Sequence, residues 1–144
     1  MFRGSNNVGV CGPHFPDAEL ACPHCGVNGC QQGLVDVLEA FRAAVGKPVQ
    51  VDSAYRCPAH NVAVGGAKGS EHMQGLAADI RVKGMTAAEL EEVARRIPAI
   101  RGIGRADRQQ YIHVDVRSTL TLARWCYSAS GKRCGYYPPL AEAA

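Results

Sequence analysis

The chain has 144 residues, 47% hydrophobic and 20% charged, which is the composition of one globular domain and excludes a large multidomain machine or a disordered polymer. Its apolar runs extend over only a few residues, too few to cross a bilayer as a helix. Sixteen Lys and Arg against 13 Asp and Glu leave a formal charge of +3, too small and too scattered to make nucleic acid the expected main partner.

In chain order, residues 1–30 mix Gly, Pro, Asn and Cys and predict irregular structure. From Gln31 to Val45, the apolar Leu34, Leu38, Phe41 and Val45 fall on one helical face, stopped by Gly46 and Pro48. Val49-Gln50-Val51 alternates as a short strand. Arg56 to Gly69 is rich in Pro, Asn and Gly, predicting a structured loop with a helical turn near Ala59–Ala63. Gly75 to Val82 reads as a buried strand interrupted by Asp79. Thr86 and Glu89 form a capping box for a helix whose apolar face is Leu90, Val93 and Ile97, ended by Pro98. Tyr111 to Val116 alternates polar and apolar, the pattern of a strand with one distinctive face. Beyond it lie a polar stretch, Trp125 and a Cys-flanked turn at Ser130-Gly131-Lys132. This order predicts an α+β domain over 1–144 with a small, mainly antiparallel sheet, residues 1–16 and 128–144 being peripheral.

Seven cysteines stand at 11, 22, 25, 30, 57, 126 and 134. An odd number cannot all pair within one chain, and Met1 to Asn7 lacks the apolar core of a signal peptide. The expectation is therefore synthesis in the cytoplasm, where clustered Cys more often mean metal binding or burial than disulfides. Cys22-Pro23-His24-Cys25 with Cys30 has zinc-knuckle spacing, and Cys57 could supply a fourth thiolate; a purely local structural role would also suffice. Cys126 and Cys134 flank a turn and could pair outside the cell. A nucleic-acid knuckle is disfavoured by the small charge and by the lack of a basic strip interleaved with aromatics.

Three side chains stand where a fold alone would not put them: His72 in a loop, Asp79 within the apolar run Leu76-Ala77-Ala78-Asp79-Ile80, and His113 in a Val/Ile strand. An unpartnered buried carboxylate costs several kcal/mol, so Asp79 needs a cation or strong donors. Two imidazoles and a carboxylate make a common catalytic zinc shell that leaves a fourth position for water. Taken singly, His113 also reads as a hydrogen-bonded structural residue, Asp79 as a buried turn acceptor, and Glu71 as a solvated loop acid.

Ser53-Ala54-Tyr55-Arg56-Cys57-Pro58-Ala59-His60-Asn61, Val64-Gly65-Gly66, Ser70-Glu71-His72-Met73-Gln74-Gly75-Leu76-Ala77-Ala78-Asp79-Ile80 and Ile112-His113-Val114-Asp115-Val116-Arg117 together resemble the M15 peptidases. Those are zinc D-Ala-D-Ala carboxypeptidases and L-Ala-D-Glu endopeptidases with the hedgehog/DD-peptidase fold. The resemblance covers about residues 17–126 and is nearest to small bacterial and phage members.

The resemblance implies that His72, Asp79 and His113 hold zinc, that Arg56 steadies the oxyanion, and that Ser70 positions substrate; capping the loop is the other role open to Ser70. Two neutral imidazoles and one carboxylate would leave the ion a net +1 and a good Lewis acid. Many relatives carry an acid three residues before the last ligand, where this chain has Gln110. Asp115, on the same strand face as His113, is then the general base or the carboxylate that orients His113, with Asp107 in reserve. Asn61 and Gly65-Gly66 fit a structural loop role. Trp125 and Tyr55 either line a groove or pack in the core.

The implied activity is hydrolysis of peptidoglycan stem peptides by a monomer with no nucleic-acid or membrane partner. An endolysin-like phage enzyme, released from the cytoplasm or carried on a particle, suits a chain read without a signal peptide. The alternative is a non-catalytic zinc-binding structural or host-binding module of the same fold, which Gln110 keeps open.

Overall fold

The structure is a computed structural model and describes residues 9–128 and 130, together with the backbone of Arg133–Tyr136. The turn residues Gly131 and Lys132 and the side chain of Cys134 lie outside the described residues.

Helix α1 is short, Asp17–Leu20, and buries Leu20. Helix α2, Gln32–Val45, buries Leu34, Val35, Val37, Leu38 and Phe41. It ends where the sequence predicts: Gly46 takes φ 67°, a left-handed conformation that suits glycine, and donates its N–H to the Arg42 carbonyl. Strand β1 is Gln50–Ser53, and α3, Pro58–Ala63, supplies the predicted helical turn. A 3₁₀ turn at Glu71–Gln74 leads into β2, Ala77–Arg81. Helix α4, Ala87–Arg95, starts with the Thr86–Glu89 capping box fully formed. Strands β3 (Gly102–Ala106), β4 (Tyr111–Asp115), β5 (Ala123–Tyr127) and β6 (Arg133–Tyr136) complete the order.

The six strands form one sheet in the order β1-β2-β4-β3-β5-β6. All neighbouring pairs are antiparallel except β3 with β5. The α+β class and the mainly antiparallel sheet thus hold, while α1, β3, β5 and β6 were not foreseen. The missed strands lack the clean alternation of β4. In β3, Gly102-Ile103-Gly104 reads as a turn by composition.

Alternation along the strands gives the sheet two unlike faces. Ala78, Ile80, Ile103, Ile112 and Val114 join Leu34, Leu38 and Phe41 of α2 and Leu90 of α4 in one apolar core. Asp79, His113 and Asp115, from the alternate positions, lie outside that cluster yet are buried. None of the helices among the described residues is long and apolar enough to cross a membrane.

One buried charge ties the helix layer to the sheet. Glu91 of α4 is 2% exposed and accepts hydrogen bonds from Arg105 of β3 (3.1 Å) and Arg124 of β5. Removing one partner of a buried ion pair leaves the others uncompensated and costs about 3 kcal/mol or more. Glu91→Ala is therefore expected to lower unfolding free energy by roughly 3 kcal/mol in urea titrations. A change within about 0.5 kcal/mol, as for an ordinary surface site, would show the ion pair to be dispensable.

Candidate metal centre

Two local devices place the three candidate ligands. Asp79 of β2 and His113 of β4 are directly opposed in the antiparallel register, so their side chains emerge side by side on one face. His72 comes from the 3₁₀ turn. That turn opens with the Ser70 hydroxyl accepting a hydrogen bond from the His72 backbone N–H, at 3.2 Å. It closes at Gly75, which has φ 73° and sits where a Cβ would run into the Gly29 carbonyl.

The three donor groups converge within 4.8 Å of one another. Asp79 Oδ1 lies 3.3 Å from His72 Nε2 and 3.3 Å from His113 Nδ1. A tetrahedral zinc with bonds of about 2.0–2.1 Å to N and O separates neighbouring ligand atoms by about 3.3 Å, so the spacing fits the ion. The far side of each imidazole is occupied. His72 Nδ1 is 2.7 Å from the Ala54 carbonyl, and His113 Nε2 is 2.7 Å from Asp115 Oδ2. With a metal bound, those acceptors would take the outer N–H of each ring and leave the inner lone pair to the ion.

In this structure the two rings act instead as partners of the Asp79 carboxylate. Burial alone would raise the Asp79 pKa, but the charge and hydrogen bonds of His72 and His113 outweigh it and hold the carboxyl well below the ordinary range. For His113, burial works against the charged ring, yet the hydrogen bonds to Asp115 and Asp79 prevail and raise its pKa. Asp79 Oδ2 faces Arg56, whose terminal nitrogen is 3.4 Å away. Arg56 is itself held by Ser53 Oγ (3.2 Å) and by Asn61 Oδ1 (3.0 Å). Asn61 also donates to the Ala67 carbonyl at 2.9 Å, so it ties the loop and fixes the guanidinium together. Gly66 beside it has no room for a Cβ, which would strike Asn61 and Arg56.

Asp115 stands behind His113, with the imidazole between it and Asp79. It is fully buried and grips Arg117 through two contacts, 2.8 and 2.7 Å. Burial would raise its pKa, but Arg117 and His113 push it well below the ordinary carboxylate range. Gln110 does not face the centre: at φ 60° it accepts from the Ala87 N–H at the start of α4 and donates to the Asp107 carbonyl. Asp107 is exposed and paired with Arg105, which also bonds Glu91 beneath the opposite face of the sheet. Trp125 is fully buried, its ring 5.1 Å from His113 and stacked under Arg117 at 5.0 Å. Tyr55 is half-buried against the core. A cleft of about 640 Å³ bordered by Leu76, Arg101, Val116 and Arg117 contains none of the three ligands.

Several supporting residues escaped the sequence reading. A Cβ on Gly102 would meet the Asp115 carboxylate, and one on Gly104 would meet the Trp125 indole. These glycines let both side chains lie flat over β3 beside His113. Gly-x-Gly within a strand was the available signal. For Arg117, the signal was an opposite charge two residues after Asp115.

The cysteines divide differently from the expected four. Cys22, Cys25 and Cys57 bring their sulfurs together, but Cys30 does not join them. It is buried among apolar side chains, donates to the Leu20 carbonyl at 3.8 Å, and burial pushes its thiol up to about 11. Cys126 is in a disulfide, and Cys11 is a free, exposed thiol.

Asp79→Asn is expected to abolish tight zinc binding, and Asp115→Asn to weaken it by about 10–100-fold, as read by chelator competition. Equal affinity of Asp115→Asn and the parent would refute the orienting contact. Because the folded-state pKa of Asp115 is depressed, its stabilisation is complete above the unfolded pKa of about 3.9 and fades as pH falls below it. The Tm of metal-free protein should therefore fall as pH drops from about 4 towards 2, and fall less steeply in Asp115→Asn.

A family model described as Peptidase M15 matches residues 13–115, well over half of the chain. No curated protein matches the sequence. The matched segment runs from the turn before α1 to the end of β4 and contains Arg56, His72, Asp79 and His113. The chain belongs to the peptidase M15 family, whose members are zinc-dependent.

Proposed function

We propose that the protein is a zinc metallopeptidase that hydrolyses peptidoglycan stem peptides, as a D-Ala-D-Ala carboxypeptidase or an L-Ala-D-Glu endopeptidase. The observation that carries this reading is the convergence of His72, Asp79 and His113 at zinc-ligand spacing, with a fixed guanidinium at its edge. Bound there, zinc supplies Lewis acidity, polarising a peptide carbonyl and making water a better nucleophile near neutral pH.

The chain's own groups do the positioning. The Ala54 carbonyl and Asp115 keep the two imidazoles in the tautomers and orientations that present their inner nitrogens. Asp115 acts as the orienting carboxylate, because its oxygens are committed to His113 and Arg117. Arg56, preset by Ser53 and Asn61, holds the negative charge that develops on the carbonyl oxygen. Its contact to Asp79 is long, leaving donor capacity for substrate. Ser70, which caps the turn, orients the peptide in this reading. Peptidoglycan lies outside the cytoplasm, so the enzyme works at the wall after release or on a phage particle, a setting in which the Cys126 disulfide persists.

A second reading, a zinc-binding module without hydrolysis, draws on Gln110. The side chain that replaces the family acid is engaged at the start of α4 instead of the centre. The two readings separate on zinc-loaded protein incubated with purified sacculi, with muropeptides read by mass spectrometry. The enzyme reading expects loss of a terminal D-Ala or separation of L-Ala from D-Glu. Stoichiometric zinc with intact muropeptides would leave the module. Arg56→Ala is expected to lower kcat by about 10²–10³-fold with zinc content unchanged.

A further inference from the structure

Among the described residues, the sulfurs of Cys22, Cys25 and Cys57 form a second group within ligating reach, apart from the His72/Asp79/His113 centre. Cys22 and Cys25 flank a tight turn in which Cys22 N–H bonds the Val27 carbonyl (2.8 Å) and Gly26 N–H bonds the Cys22 carbonyl (2.7 Å). Gly26 has φ 77° with open space around it, so the turn itself dictates the glycine. Cys57 arrives from the β1–α3 junction, 35 residues away from Cys22 in sequence, and caps the first turn of α3.

Three features distinguish this group from a chance cluster of thiols. The Cys22 and Cys57 sulfurs are 3.7 Å apart. Two thiolates on one tetrahedral zinc, with bonds of about 2.3 Å, stand about 3.8 Å apart. A disulfide would bring them to about 2.0 Å. Backbone amides also point at the sulfurs: Cys57 N–H donates to Cys22 Sγ and His60 N–H to Cys57 Sγ, each at 3.5 Å. Such donors stabilise thiolates over thiols. Finally, the spacing repeats. Cys22-Pro23-His24-Cys25 is answered by Cys57-Pro58-Ala59-His60, two Cys-Pro-x-ligand turns facing one another.

His60 occupies the third position of α3 counted from its Cys57 cap, the place from which a side chain reaches back to the cap in a capping box. Its ring stacks on that of His24, with centroids 6.2 Å apart. As the ring stands beside His24, His60 is outside the group of atoms within ligating reach, so it must turn from that stack to complete a fourth position.

We propose that Cys22, Cys25 and Cys57, completed by His60, form a structural zinc site separate from the His72/Asp79/His113 centre. It fastens the segment after α1 to the junction that carries Arg56. The site is independent of the peptidase reading, since none of its ligands belongs to the other centre.

The test uses the full chain purified under reducing conditions. Metal analysis should give two zinc ions per chain, and a His72→Ala/His113→Ala double variant should keep one. Cobalt exchanged into that variant should show thiolate-to-cobalt charge-transfer absorption and the visible bands of a tetrahedral site. Cys22→Ser/Cys25→Ser should lose the charge-transfer band, Cys30→Ala should keep it, and His60→Ala should alter the visible bands. Cobalt-loaded parent protein without thiolate charge transfer would overturn the site, a result that needs no variant to fold. A Cys22–Cys57 disulfide in protein isolated with zinc would also overturn it. Visible bands unchanged in His60→Ala would overturn His60 as the fourth ligand.

Discussion

The antiparallel register that sets Asp79 opposite His113 is the constraint on which the rest of the centre depends. It places a carboxylate and an imidazole side by side in a nearly water-free position, where neither is stable alone. Everything around them supplies compensation. His72 is brought by a capped 3₁₀ turn, Arg56 answers the second Asp79 oxygen, and Asp115 with Arg117 backs the far side of His113. Slipping β2 against β4 by one residue would turn Asp79 into the apolar core and end the arrangement.

The same requirement explains the unusual composition of β3. This strand lies beside β4 and must leave space above itself for Asp115 and Trp125. Glycine at 102 and 104 provides that space at the cost of β-propensity, and the strand is held instead by its neighbours on both sides and by Arg105 reaching Glu91. Local preference is sacrificed where the polar face needs volume. Ile103, on the other face, still packs in the core.

The two metal-capable groups share a structural neighbourhood. Cys57 and Arg56 are adjacent in sequence, and the Arg56 N–H bonds the His72 carbonyl at 3.1 Å. The β1–α3 junction therefore touches both the thiol cluster and the turn carrying His72. Chemically the groups are unlike. The imidazoles and carboxylate of one suit a catalytic ion with an open position, whereas a thiolate-rich set suits a closed structural one.

Much of this was legible in the residues. Periodicity and capping signals located α2 and α4 and their ends, and alternation located β4. The misplaced polarity of Asp79 and His113 marked them in the sequence as candidate ligands, because buried charge is costly enough to demand a reason. Tertiary structure decided what depends on neighbours distant in sequence. It put Asp115 behind His113 and in the grip of Arg117, turned Gln110 towards α4, and removed Cys30 from the thiol group while keeping Cys57. The sequence by itself determined which residue types could serve a metal and which elements carry them, since those follow from side-chain chemistry and local backbone preference. Which face, which ring nitrogen and which partner each one met was decided by strand register and packing, where contacts between residues far apart in the chain override local preference.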